Sequence, residues 1–278
     1  MIARLISANS SELLKMNGDE LKQSIKASEG RTVLSENVVI QPAIDGLTMS
    51  EIAAAFGADL ILLNLFDVFE PKVSGLEVKD AKDTVKRLKE LTGRPIGVNL
   101  EPVDPDAKME STKFELPKGR IATAESMRRA EELGFNFVCF TGNPGSGVTN
   151  KMIVQAVRTA KENFSGMIIA GKMHGAGVDE PVADEESVKA MIDAGADVIL
   201  VPAVGTVPGF TSDELIKIVK IVHQHDGLVM STIGTSQESS GKDVIREIAL
   251  KNKTCGVDIQ HIGDAAWGVL SPTETIFE

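Results

Sequence analysis

At 278 residues, 42% of them hydrophobic and 25% charged, the chain has the size and apolar content of one domain, and no apolar run approaches the roughly twenty residues that span a bilayer. A formal charge of −11 argues against a nucleic-acid partner, since phosphate backbones are gripped by basic surfaces. The lack of Tyr and the single Trp disfavour a stacking platform for long carbohydrate, leaving a small, polar, charged ligand as the expectation.

The start, Met1 to Ala8, is too short and too quickly polar for a signal peptide. Cys139 and Cys255 have no metal-ligand spacing, which points to a reduced, cytosolic setting. Ser10 to Ser28 reads as a helix ahead of the first strand, and residues 1–30 as a cap closing the bottom of a barrel.

The strand rhythm follows. Four times a helical pattern ends in Gly, any residue, Asp or Asn, and then an apolar run: Gly57-Ala-Asp59, Gly134-Phe-Asn136, Gly195-Ala-Asp197 and Gly256-Val-Asp258. Glycine just past a helix adopts positive φ cheaply, so each marks a helix-to-strand junction. Four further strands fit Val38-Val-Ile40, Pro95 to Asn99, Met167 to Ala170 and Leu228-Val-Met230. The spacing suits strand, crossover helix and return. The fold class predicted is therefore α/β, a (β/α)8 TIM barrel spanning residues 1–278 as one domain, with an extra N-terminal helix and a short or incomplete eighth helix.

Between the strands, Lys79 to Leu91, Thr123 to Leu133, Asn150 to Phe164, Asp184 to Ala194 and Ser212 to His223 read as amphipathic helices. Thr123, Thr149 and Ser212 are N-cap candidates, and Thr211 to Glu214 has capping-box spacing. Beyond the last strand, Trp267, Val269, Leu270, Ile276 and Phe277 form an apolar tail. It is expected to pack across the barrel or against another subunit, making a homo-oligomer.

In such a barrel the reactive groups sit at the carboxyl ends of the strands. Those ends carry Gln41 to Asp45, Asn64 and Asp67, Asn99 and Glu101, Thr141 and Asn143, Lys172 and His174, Ser231 and Thr232, and Gln260, His261 and Asp264. Lys172, His174, Glu101, Asp45 and His261 are the catalytic candidates. A desolvated Lys172 would form a Schiff base with a carbonyl substrate while His174 moves protons; otherwise it is a structural ion pair with Glu101. Glycine-rich turns near the last two strands suggest phosphate anchors at Gly234, Thr235, Ser236 and Gly263, with Asn99 and Arg120 as further ligand contacts. These residues specify no cofactor and leave a divalent metal open. If a divalent metal is bound, Glu101, His174 and Asp67 are its candidate ligands.

Residues 103–122 are long for a strand-to-helix connection and suggest a lid carrying Lys113, Lys118 and Arg120. Gly142 to Thr149 imitates a P-loop, but Val148 replaces the phosphate-binding Lys, which excludes a nucleotide triphosphatase. Asp104-Pro-Asp106 lies in a polar loop, which excludes a phosphoaspartate mechanism.

Gly195 to Val201 and His261-Ile-Gly-Asp264 resemble the phosphate-binding (β/α)8 barrels. The whole chain also resembles a bacterial barrel family met near sugar-uptake genes and labelled haloacid-dehalogenase-like, a label that the loop residues above contradict. Asp45 to Ser50 followed by Glu51 to Asp59 is similar to the first strand and helix of the phosphoenolpyruvate mutase and isocitrate lyase superfamily; its Lys-Lys-Cys-Gly-His motif has no counterpart here. The resemblance implies the fold; the acid/base groups and glycine turns at the strand ends point to a cytosolic enzyme acting on a small phosphorylated sugar or sugar acid beside its carbonyl, as isomerase, epimerase or aldolase-type lyase. A metal-dependent hydrolase or lyase, or a non-catalytic phosphosugar-binding barrel, is the alternative.

Overall fold

A computed structural model describes residues 2–264 and 270–278. Eight parallel strands close into a barrel in sequence order: β1 (Thr32–Val38), β2 (Leu60–Asn64), β3 (Ile96–Asn99), β4 (Phe137–Phe140), β5 (Met167–Gly171), β6 (Val198–Pro202), β7 (Leu228–Ile233) and β8 (Ile259–Ile262). The predicted fold class is the observed one. β1 departs from expectation, because it ends at Val38, where the apolar triplet 38–40 suggests that it begins.

Each strand alternates between two apolar layers, as the two-residue period requires. Leu34, Leu60, Leu62, Phe137, Cys139, Ile169, Leu200 and Met230 fill the barrel. Ile61, Leu63, Val98, Val138, Ile168, Ile199 and Val229 face the helices. Gly97 makes room in the interior layer, where a Cβ would lie 2.2 Å from the Phe137 ring.

The Gly-x-Asp/Asn cadence has a second physical cause besides the glycine turn. Asp59, Asn136, Asp197 and Asp258 each accept, through the side chain, the backbone N–H of Val33, Ile96, Ile168 and Val229, at 2.9, 3.1, 3.0 and 2.8 Å. Their own backbone N–H groups donate back to the carbonyls of the same four residues. Every even strand is thus clamped at its entry to the odd strand before it, which satisfies a donor that the ladder leaves free.

The helical ring contains α3 (Met49–Ala55), α4 (Thr84–Thr92), α5 (Ala124–Leu133), α6 (Asn150–Asn163), α7 (Glu185–Ala194), α8 (Ser212–Gln224) and α9 (Lys242–Thr254). Thr123 and Thr149 cap as expected. Thr211, rather than Ser212, caps α8, with Glu214 completing the box. The N-terminal segment is two helices, α1 (Ser10–Leu13) and α2 (Gly18–Lys26), because Asn17 starts a fresh capping box. Leu5, Leu13, Leu21 and Ile25 join the interior layer and plug the bottom of the barrel.

The eighth helix is α10 (Thr273–Phe277). Ile276 and Leu270 pack with Ala53, Ile245 and Ile248, so this part of the tail closes the ring against its own chain. Trp267 and Val269 lie outside the described residues. Among the described residues no helix is long and apolar enough to cross a membrane, and both cysteines are buried and free.

Candidate active site

The carboxyl ends of the strands enclose a cavity of about 560 Å³ lined by Glu36, Asn64, Asn99, Thr141, Asn143, His174, Gly234, Thr235, Ser236, Glu238 and Asp264, among others. Its floor is set by β1. Leu34 faces the interior core, and Glu36, two residues on, emerges on the same side of the strand. The Glu36 carboxylate accepts a hydrogen bond from His261 Nε2 at 2.9 Å, and both residues are buried. An ionised carboxylate only accepts, so this contact places the ring hydrogen on Nε2.

Two more acids stand on the β7–β8 side. Asp264 is pushed up to about 8, first by burial and then by the charges of Glu36 and Glu238. Burial also raises the Glu238 carboxyl. Across the cavity, His174 is held below its ordinary range by burial, which outweighs attraction from Glu36. Its Nδ1 accepts the N–H of Ala176 at 3.0 Å. The neutral ring therefore carries its hydrogen on Nε2 and can polarise a carbonyl oxygen.

Five of the residues expected at the site line this cavity: His174, Asn99, Gly234, Thr235 and Ser236. His261 sits behind it through Glu36. Glu101 and Arg120 form the second layer. The Glu101 carboxylate, 1% exposed, accepts from Arg120 Nη2 at 2.7 Å, Asn143 Nδ2 at 2.9 Å and Asn143 N at 2.8 Å. Its oxygens are occupied, so it positions Asn143 rather than attacking a substrate.

The remaining candidates lie elsewhere. Lys172 follows the outward alternation of Ile168 and Ala170, and Gly171, at φ +151°, ends the strand beneath it. Its ammonium lies 2.5 Å from Glu180, not Glu101, and does not line the cavity. Burial lowers its pKa, an effect that Glu180 opposes. Asp45 is exposed on a turn beyond β1. Asp67 accepts the N–H groups of Phe69 and Glu70 and lines a separate cavity. Gly263 spends its amide on the carbonyl of Ile233.

Glu101, His174 and Asp67 do not converge, and among the described residues no three His, Cys, Asp or Glu side chains are close enough to hold a metal ion. Glu36 and Glu238 are the cavity-lining acids that the sequence reading passes over. Glu36 was hidden by the misplaced first strand, and Glu238 sits in a Ser-rich loop without periodicity.

The lid segment is docked. Phe114 N donates to Gly145 O, Glu110 N to Gly177 O, and Glu101 N to Arg120 O. It roofs the loops after β4 and β5 and delivers Arg120 to Glu101.

A family model described as a domain of unknown function, DUF7916, matches residues 6–278. No curated protein matches the chain. Among solved structures, 2,3-dimethylmalate lyase, a member of the PEP mutase/isocitrate lyase superfamily, is similar at 12% identity and TM-score 0.53, over 88% of this chain and 79% of that one. Phosphoenolpyruvate phosphomutase from Streptomyces platensis subsp. rosaceus gives 14%, 0.51, 88% and 80%. A lyase/mutase from Burkholderia cenocepacia J2315 gives 18%, 0.50, 87% and 80%. At these identities the likeness concerns the barrel fold.

Proposed function

The chain belongs to the DUF7916 family, and from that premise and the geometry of the cavity we propose that it is a carbon–carbon lyase acting on a small polyhydroxylated carbonyl compound. One observation carries the reading: a neutral imidazole, His174, and the carboxyl groups of Glu36, Glu238 and Asp264 line one cavity at the carboxyl end of the barrel. Two of the similar barrels are named lyase or lyase/mutase, which supports a lyase-type reaction.

The steps balance without a Schiff base. Glu238, whose raised pKa makes its ionised form the stronger base, takes the proton of a hydroxyl two carbons from the carbonyl. The carbon–carbon bond breaks, the released electron pair enters the carbonyl oxygen as an enolate, and His174 Nε2–H stabilises the developing charge. Asp264, protonated below about pH 8, returns a proton to the enolate carbon. His261 holds Glu36 in place as a positioning residue.

The test incubates the protein with short aldoses, ketoses and sugar acids, each with and without a phosphate ester, and follows new carbonyl products by NMR. Product formation in the wild type, reduced about 10²–10⁴-fold in Glu238→Gln as expected for loss of a general base, is the predicted result. No new carbonyl product from any member of the panel overturns it.

A further inference from the structure

The cavity contains buried polar atoms whose hydrogen-bonding sense is fixed by the network behind them. Glu101, occupied by Arg120, can only accept, so the Asn143 side chain must turn its Nδ2 towards it. That leaves Asn143 Oδ1 to accept from Asn64 Nδ2 at 2.9 Å. Asn64 Oδ1 then accepts from Leu65 N and, at 3.3 Å, from Asn99 Nδ2. The chain of amides ends with Asn99 Oδ1, a buried acceptor on a residue that lines the cavity.

Asn99 Oδ1 has no hydrogen-bond partner among the described residues, and neither has Glu238 Oε2 or Thr141 Oγ1. These three residues are 3%, 1% and 2% exposed. Buried acceptors without donors cost free energy unless a ligand or water supplies the hydrogens. The lining carries no Lys or Arg, since Arg120 is held by Glu101 and Lys172 by Glu180.

At the β7–β8 corner, where barrels of this type commonly seat a phosphate, the Glu238 carboxylate stands against Gly263. A Cβ there would be 2.9 Å from Glu238 Oε1. A phosphate, which brings negative charge, would meet the Glu238 carboxylate there.

We propose that the substrate enters this corner with an unphosphorylated, polyhydroxylated end whose hydroxyl groups donate to Asn99 Oδ1 and Glu238 Oε2. The inference rests on the same cavity as the lyase reading and names the class of molecule that it recognises. It replaces the phosphorylated metabolite expected from sequence.

The experiment measures binding by calorimetry for matched pairs: erythritol against erythritol 4-phosphate, and sorbitol against sorbitol 6-phosphate. The polyol is expected to bind at least tenfold more tightly than its phosphate ester. Glu238→Gln, which turns an acceptor into a potential donor and removes the charge, should weaken the polyol at least tenfold and shrink the discrimination. Asn99→Leu offers a second measurement at the other acceptor, with a similar loss, should the Glu238 variant fold poorly. Equal or tighter binding of the phosphate ester, or no binding of either member, overturns the proposal. Polyol binding without turnover of any carbonyl compound would remove the lyase reading and leave this one standing; turnover of a phosphorylated substrate alone would do the reverse.

Discussion

Glu36 and His261 meet at 2.9 Å across the seam that closes the barrel, a carboxylate from the first strand and an imidazole from the last. The two groups are 225 positions apart in the chain, so the contact exists only once the ring is shut. Their substitution should be asymmetric. Glu36→Ala leaves a buried ring N–H without an acceptor, at about 1–3 kcal/mol. His261→Ala leaves a buried carboxylate without its donor and is expected to cost more, because an unsatisfied charged acceptor is costlier than an unsatisfied neutral donor. Urea denaturation at pH 7 checks the order; equal losses would mean that the pair does not hold the seam.

Stability should also fall with rising pH because of Asp264. Its folded pKa is raised to about 8 from the ordinary carboxyl value of 3.8, so between those values the folded state binds a proton that the unfolded state has released. Linkage then gives a negative slope: stability is fully present below the unfolded pKa and is lost as pH climbs through about 8. The melting temperature is expected to decline from pH 5 to pH 9. Asp264→Asn, which mimics the protonated acid, should flatten that decline and raise the melting temperature at pH 9. An unchanged slope would show that Asp264 ionises freely in the fold.

The four strand-entry clamps were visible in sequence as a rhythm but not as hydrogen bonds. Gly-x-Asp/Asn announces a turn, and nothing local says that Asn136 reaches back to Ile96 N or Asp197 to Ile168 N. Asn136→Ala should destabilise by about 1–3 kcal/mol, the cost of a buried N–H left unpaired, while Asn136→Asp should lose less because it keeps the acceptor. Chemical denaturation of the two variants separates these outcomes.

The barrel was legible because its strands are apolar and its helices are periodic, and both signals are local. The site was legible only in part. His174 and Asn99 follow apolar runs and were within reach. Glu36 was not, since Ser35, Glu36 and Asn37 break the apolar pattern of β1 and the triplet Val38-Val39-Ile40 draws the eye one strand-length too late. Lys172 shows the opposite failure. Alternation places it and His174 on one face, but the strand ends at Gly171, where a Cβ would sit 1.9 Å from Leu200 O. Past that point the chain turns His174 to the cavity and sends Lys172 to Glu180, so strict two-residue counting no longer applies.

Gly97 gives a test of interior packing. Its missing side chain is filled by Phe137, whose ring carbons lie 2.2 Å from where a Cβ would stand. Gly97→Ala forces the ring aside and should cost about 1–3 kcal/mol, the range for overpacking a dense core. Phe137→Leu in the same chain should recover part of the loss by vacating the contested space. A double variant no better than the sum of its singles would place the cost in the backbone.

The lid and the cavity share a buried charge, and that coupling yields the last expectation. Arg120 neutralises Glu101 from the end of the 103–122 segment, and Glu101 in turn orients Asn143, which lines the cavity beside Asn64 and Asn99. Arg120→Met strands the Glu101 carboxylate, at about 3–5 kcal/mol for a buried pair broken on one side. Adding Glu101→Gln removes the stranded charge, so most of the stability should return. The orientation of Asn143 should not, because a glutamine can present either end to it, while the Leu65 N–H keeps Asn64 and Asn99 in their present sense. The double variant is therefore expected to melt near the wild type yet bind polyols weakly. Stability and binding recovering together would show that Arg120 acts only through charge balance and not through orientation.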